Sequence, residues 1–164
     1  MAKPTKNAAI ICTIVSIIAL IGIIIGLSKG IPLIIVFLLL PATIYEVYRT
    51  EGQSTKSSSI ILLVVLIAEI ILVLFNINFN LADFLGTTEK YIGGYLVPLG
   101  EIEIVAPTLM AVLSIILFVR TRGVYTRWLG VTIFLTSLAI IYSINPAIIN
   151  DLIKVAFQEG LRQI

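Results

Sequence analysis

From Ile60 to Phe75 the chain is aliphatic or aromatic at every position except Ala68 and Glu69. Within the longer stretch 59–79 this run is long enough to cross a bilayer, since about 20 apolar residues at ~1.5 Å rise span the hydrocarbon. A carboxylate at that depth costs about 2.5–3.5 kcal/mol on insertion scales, so it faces protein or a wet cavity rather than lipid. Glu69 therefore demands neighbours, and the remaining chain supplies further apolar runs to provide them.

The sequence is 59% hydrophobic and 12% charged, a balance that excludes an ordinary soluble domain; its length allows one membrane domain. A net charge of +2 gives no argument for nucleic acid. Histidine is absent, which removes His-ligated haem, His-containing zinc sites and a His general base. The single cysteine, Cys12, lies inside an apolar run and founds no disulfide framework. No lysine lies in an apolar core to form a Schiff base. Neither cofactor nor metal is expected.

Five spans follow from the apolar runs, at about 8–27, 32–48, 59–79, 102–119 and 125–144. The first is too long for a signal-peptide core and is followed by no small-residue cleavage site. Gly22, Gly26 and Gly30 recur at four-residue spacing along it, a stripe that lets another backbone approach. Pro41 interrupts the second span and predicts a kink. Tyr45 and Tyr48, beside Glu46 and Arg49, read as an interfacial belt. Residues 81–96 read as short interfacial helices, and Asn145-Pro146 as the cap and first position of an amphipathic helix over 147–163.

The fold expected is an all-α integral membrane protein of five transmembrane helices, plus that C-terminal amphipathic helix. Basic residues near span ends place the N-terminus in the cytoplasm and the C-terminus outside, and the abundance of isoleucine points to a prokaryotic cell membrane. Two stretches echo each other: Arg49-Thr50-x-Gly52 and Arg120-Thr121-x-Gly123, with Pro41 and Pro107 each nine residues after another proline. A duplicated two-helix unit is one reading and chance in an apolar composition the other. Aligned on Ile77-Asn78 and Ile144-Asn145, Glu69 falls opposite Thr136, Asn76 opposite Ser143 and Val65 opposite Thr132.

Glu69 is the candidate of chemical interest. A carboxylate in low dielectric exchanges protons or holds an ion, and Asn76, Thr132, Thr136 and Ser143 would complete an oxygen shell of the kind hard cations take. The alternative is a carboxyl hydrogen-bonded to a neighbouring helix or subunit. No paired acids, zinc-protease helix, nucleophile elbow or phosphate loop is found, and Arg120, Arg122 and Arg127 suit anionic headgroups. The expectation is a non-catalytic structural or accessory subunit of a larger membrane assembly. Its partners would be the bilayer and other membrane subunits, or itself. The alternative is a proton- or cation-coupled transporter or channel centred on Glu69.

Overall fold

The computed structural model describes residues 6–75, 77, 89–92, 95–98 and 102–150. It contains five long helices: α1 (Ala8–Lys29), α2 (Pro32–Arg49), α3 (Gln53–Leu74), α4 (Ile102–Arg120) and α5 (Val124–Ile144). Of these, α1, α2, α3 (from Thr55) and α5 are long and apolar enough to cross a membrane, and α4 is a somewhat shorter apolar helix over Ile104–Arg120. The chain is an all-α membrane protein in its spanning part. Large apolar side chains such as Ile14, Ile24, Val64, Val119 and Val131 are exposed on its outside, where lipid replaces the water that would penalise them.

Four of the helices close a ring. α2 packs on α3, α3 on α4, α4 on α5, and α5 returns to α2, while α1 lies in the groove between α2 and α5. The sequence builds this ring by repeating buried positions at alternating steps of four and three, the knobs-into-holes spacing of helical bundles. On α2 they are Ile35, Leu39, Ala42, Glu46 and Arg49; on α3 they are Thr55, Ser59, Leu62, Leu66 and Glu69.

The connectors between paired helices are three residues each, Thr50-Glu51-Gly52 and Thr121-Arg122-Gly123. Gly52 and Gly123 stand at the N-caps of α3 and α5. Shifting the chain so that Arg49-Thr50 falls on Arg120-Thr121 carries Ile35, Val36, Leu39, Thr43, Glu46 and Thr50 onto Ala106, Pro107, Met110, Ser114, Leu117 and Thr121. The same shift carries Thr55, Ser59, Leu62, Leu66 and Glu69 onto Thr126, Gly130, Ile133, Ser137 and Ile140. Every member of both sets is buried. No gap is needed, so the two hairpins share a register different from the one set by the Ile-Asn pairs, and Glu69 corresponds to Ile140. The prolines do not coincide: Pro41 lies midway along α2 and Pro107 in the second turn of α4.

α1 ends on a left-handed residue, Gly30 at φ 65°. The amide of Ile31 donates to Gly26 O (3.0 Å) and that of Gly30 to Leu27 O (3.4 Å), a paired closure that glycine permits without a Cβ penalty. The three glycines of the stripe thus divide. A Cβ on Gly22 would stand 2.8 Å from Leu38 Cβ, and one on Gly26 would overlap Ile35 Cγ1, whereas one on Gly30 would meet nothing. The first two let α1 settle on α2; the third makes the turn.

Between α3 and α4 the structure departs from the sequence reading. Part of the segment read as interfacial helix is an antiparallel hairpin, β1 (Glu89–Ile92) paired with β2 (Tyr95–Pro98), Ile92 facing Tyr95 across Gly93-Gly94. Residues 81–88 lie outside the described residues. At the other end, Asn145 caps as expected: the amide of Ala147 donates to its Oδ1 at 3.1 Å, and 146–150 are helical. The remainder of the 147–163 segment lies outside the described residues.

Candidate functional site

Glu69 is 0% exposed. Its helix delivers it to the ring's interior because it continues the stripe of Ser59, Leu62 and Leu66. It lies five residues before the end of α3, nearer the β-hairpin end of the bundle than the middle. Counted in turns from that end, it stands at the level of Ile35–Val36, Ala106–Pro107 and Ile140.

Of the residues anticipated as an oxygen shell around it, two have their hydrogen bonds elsewhere. Asn76 lies outside the described residues. Thr132, on α5 across the ring, turns instead to the α1–α5 contact, where its Oγ1 is 3.2 Å from Ser16 Oγ. Thr136 Oγ1 donates to Thr132 O at 2.7 Å, inside its own helix. Ser143 stands in the last turn of α5 with its Oγ buried and unpartnered. It stands about three helical turns from Thr132 along α5. The physical reason is the face of α5 that carries them: Thr132 and Thr136 lie on the side next to α1, while Ile133 and Ile140 fill the ring's interior.

Beside the tyrosines read as an interfacial belt, of which Tyr48 is exposed, the two charged residues are buried. Glu46 is 1% and Arg49 4% exposed. Thr50 Oγ1 donates to Glu46 O (2.6 Å) and shares the proton with Glu46 Oε1 (3.0 Å). Arg49 Nη1 donates to Cys12 Sγ on α1 at 3.6 Å, and its Cζ lies 5.2 Å from the Tyr125 ring centroid and 5.9 Å from that of Tyr45. Both are cation–π distances. One guanidinium therefore ties α1, α2 and α5 together. Thr121 and Thr126 are buried at the same end of the bundle. Glu46 Oε2, Arg49 Nε, Thr121 Oγ1 and Thr126 Oγ1 find no hydrogen-bond partner among the described residues. Buried polar atoms are as a rule satisfied by protein or by bound water, so this end has the capacity to hold water or a small polar group. The signal lay in the sequence: Glu46 and Arg49 continue the steps of four and three set by Ile35, Leu39 and Ala42.

A third cluster fastens α1 to α5. Trp128 Nε1 donates to Ser16 Oγ (2.9 Å), Ser16 Oγ stands 3.2 Å from Thr132 Oγ1, and Thr132 Oγ1 donates to Trp128 O (3.1 Å). One assignment of protons satisfies all three contacts: Ser16 receives from the indole and gives to Thr132. Among the described residues no group of three or more His, Cys, Asp or Glu is placed to hold a metal ion. No family model, no curated protein and no solved structure matches the chain.

Proposed function

We propose that the chain is a non-catalytic component of a membrane assembly, a sealed five-helix scaffold rather than a conduit. The observation that supports this is the filling of the ring's axis: Leu39, Leu62, Leu66, Met110, Leu117, Ile133 and Ile140 are all at most 1% exposed. Hydroxyls on the same helices serve their own backbones rather than a relay. Thr43 donates to Leu40 O, Ser114 to Ala111 O and Ser137 to Ile133 O, at 2.7–2.9 Å. Within the assembly the chain sits in a prokaryotic cell membrane with its N-terminus in the cytoplasm. Lys6, Arg49, Lys56, Arg120, Arg122 and Arg127 belong to the bundle end where α1 begins, and basic residues favour that side.

A second reading, a proton- or cation-coupled transporter, draws support from the two buried acids. Glu46, with one carboxylate oxygen unpartnered among the described residues, and Glu69 lie on either side of the apolar layer, roughly 16 Å apart in depth by helical rise. Opening that layer would place each in turn at an aqueous mouth. Ion or proton uptake into liposomes separates the two readings, with wild type and Glu69→Gln compared and assembly checked by size. A scaffold yields no flux under any gradient, and the Gln variant assembles as wild type does. A wild-type flux lost in a correctly assembled Gln variant would overturn the scaffold.

A further inference from the structure

We propose that the outer face of α5, between α1 and α4, holds one acyl chain of an anionic phospholipid whose phosphate rests on Arg127. A cavity of about 390 Å³ runs along this face, walled by Leu20 and Ile23 of α1, Phe118 of α4, and Trp128, Val131 and Leu135 of α5. That volume sits at the small end of ligand sites, about 300–1,000 Å³, and suits one chain rather than a whole two-tailed lipid. Its lining extends from Val124 to Thr136. At ~1.5 Å per residue this is roughly 18 Å, close to half the ~30 Å hydrocarbon thickness and so the reach of a chain in one leaflet.

The polar atoms in the wall are already engaged. Ser16, Thr132 and Thr136 line the cavity, yet the first two belong to the ring of bonds with Trp128 and the third donates to Thr132 O. What these residues leave for an occupant is methyl and methylene surface. Trp128, turned inward by its bond to Ser16, stands as a fixed wall instead of offering its N–H to a headgroup. The mouth has the opposite character. Arg127 lies on the cavity's rim, exposed, its Nε held by Thr121 O at 2.8 Å and its Cζ 5.7 Å from the Phe118 ring centroid. The terminal nitrogens remain for a phosphate, and Arg120 and Arg122 are exposed close by in sequence. An apolar trough of one-leaflet length under a fixed guanidinium complements an anionic lipid.

The chain's single tryptophan, Trp128, reports on occupancy. The protein is reconstituted into phosphatidylcholine vesicles containing a minor fraction of chain-brominated phosphatidylglycerol or chain-brominated phosphatidylcholine, and quenching of its fluorescence is measured. The brominated anionic lipid should quench about fivefold more than an equal fraction of its zwitterionic counterpart, the factor that one basic residue near anionic lipid contributes. Arg127→Gln should abolish the preference, whereas Arg122→Gln should leave most of it. Val131→Phe, which fills the trough beside Trp128, should reduce quenching by both. Equal quenching by the two lipids would overturn the proposal, as would a preference that survives Arg127→Gln, which marks diffuse surface charge. Shielding of Trp128 from both lipids would do so too, since it marks a helix of a second copy or another protein in the trough.

Discussion

Adding one methyl group at each of the three α1 glycines should have three different consequences, because the structure gives each a different reason to be glycine. Gly26→Ala makes the closest contact. Its Cβ would overlap Ile35 Cγ1 and stand 3.2 Å from the Ile31 carbonyl oxygen, and Ile35 is fully buried. Overpacking of this kind costs about 1–3 kcal/mol, offset by at most ~1 kcal/mol of helix propensity. A net loss of about 1–2 kcal/mol follows. Gly22→Ala meets Leu38 Cβ at 2.8 Å; a Cβ is fixed to its backbone, so α2 itself must retreat and the loss is comparable. Gly30→Ala meets no atom, but φ 65° costs an L-residue roughly 1–2 kcal/mol. The last two mechanisms separate by using asparagine, which visits left-handed backbone readily: Gly30→Asn should recover most of the loss and Gly22→Asn none. Unfolding in mild detergent with increasing dodecyl sulfate, followed by Trp128 fluorescence, reads the differences, with lipid-facing Ile24→Ala as control. If Gly26→Ala proves no worse than Ile24→Ala, the close α1–α2 crossing is not what holds α1.

The two connectors make a matched test in the same assay. Gly52, at φ 107°, should lose about 1–3 kcal/mol on replacement by alanine, while Gly123, at φ −76°, should tolerate it; equal effects would refute the conformational argument. Ser16→Ala and Thr132→Val each break the same cycle of bonds, so their effects should be less than additive, with a coupling of about 0.6–1.7 kcal/mol; strict additivity would mean that the cycle does not form. Glu69→Ile, which places the residue of the equivalent α5 position in α3, should fold and purify as a monodisperse bundle, and aggregation of that variant would show that the carboxyl is needed for packing.

Much of the frame could be read directly. Five apolar runs imply five helices, four of them long enough for the bilayer and α4 somewhat shorter, and Asn145-Pro146 announces a helix start because a side-chain acceptor and a residue without an N–H suit that place. The hairpin has a signal that the helical reading passes over: Gly93-Gly94 between segments rich in tyrosine, isoleucine, leucine and valine is a two-residue hairpin pattern, and the same residues also suit an interfacial helix. The site was harder. Seen in isolation, Tyr45-Glu46-x-Tyr48-Arg49 at a span end reads as a water-facing belt, and only the stripe running on from Ile35 tells that one face of α2 stays buried to its last turn. Which polar stripes meet depends on the order of helices round the ring. Spacing along one helix carries no information about that order, so it groups Thr132 with Glu69 although Thr132 serves Ser16.

The shared register of the two hairpins gives the buried acids a sharper meaning than their burial alone. At the positions of Glu46 and Glu69 the second hairpin carries Leu117 and Ile140, each fully buried in the same frame. Apolar side chains therefore fill those places adequately, and an acid there carries a desolvation cost that packing does not require. Arg49 and Arg120 differ in the same direction, the first buried under α1 and the second exposed. α1 accounts for part of this asymmetry, since it covers only the α2–α5 side: Thr132, beneath it, is buried, while its counterpart Ile61 is half exposed. It does not account for Glu69, which lies on α3, away from α1. The frame and the carboxyl are thus separable, and a substitution at Glu69 that preserves the fold isolates whatever the acid contributes, whether recognition of a neighbouring helix or movement of a proton.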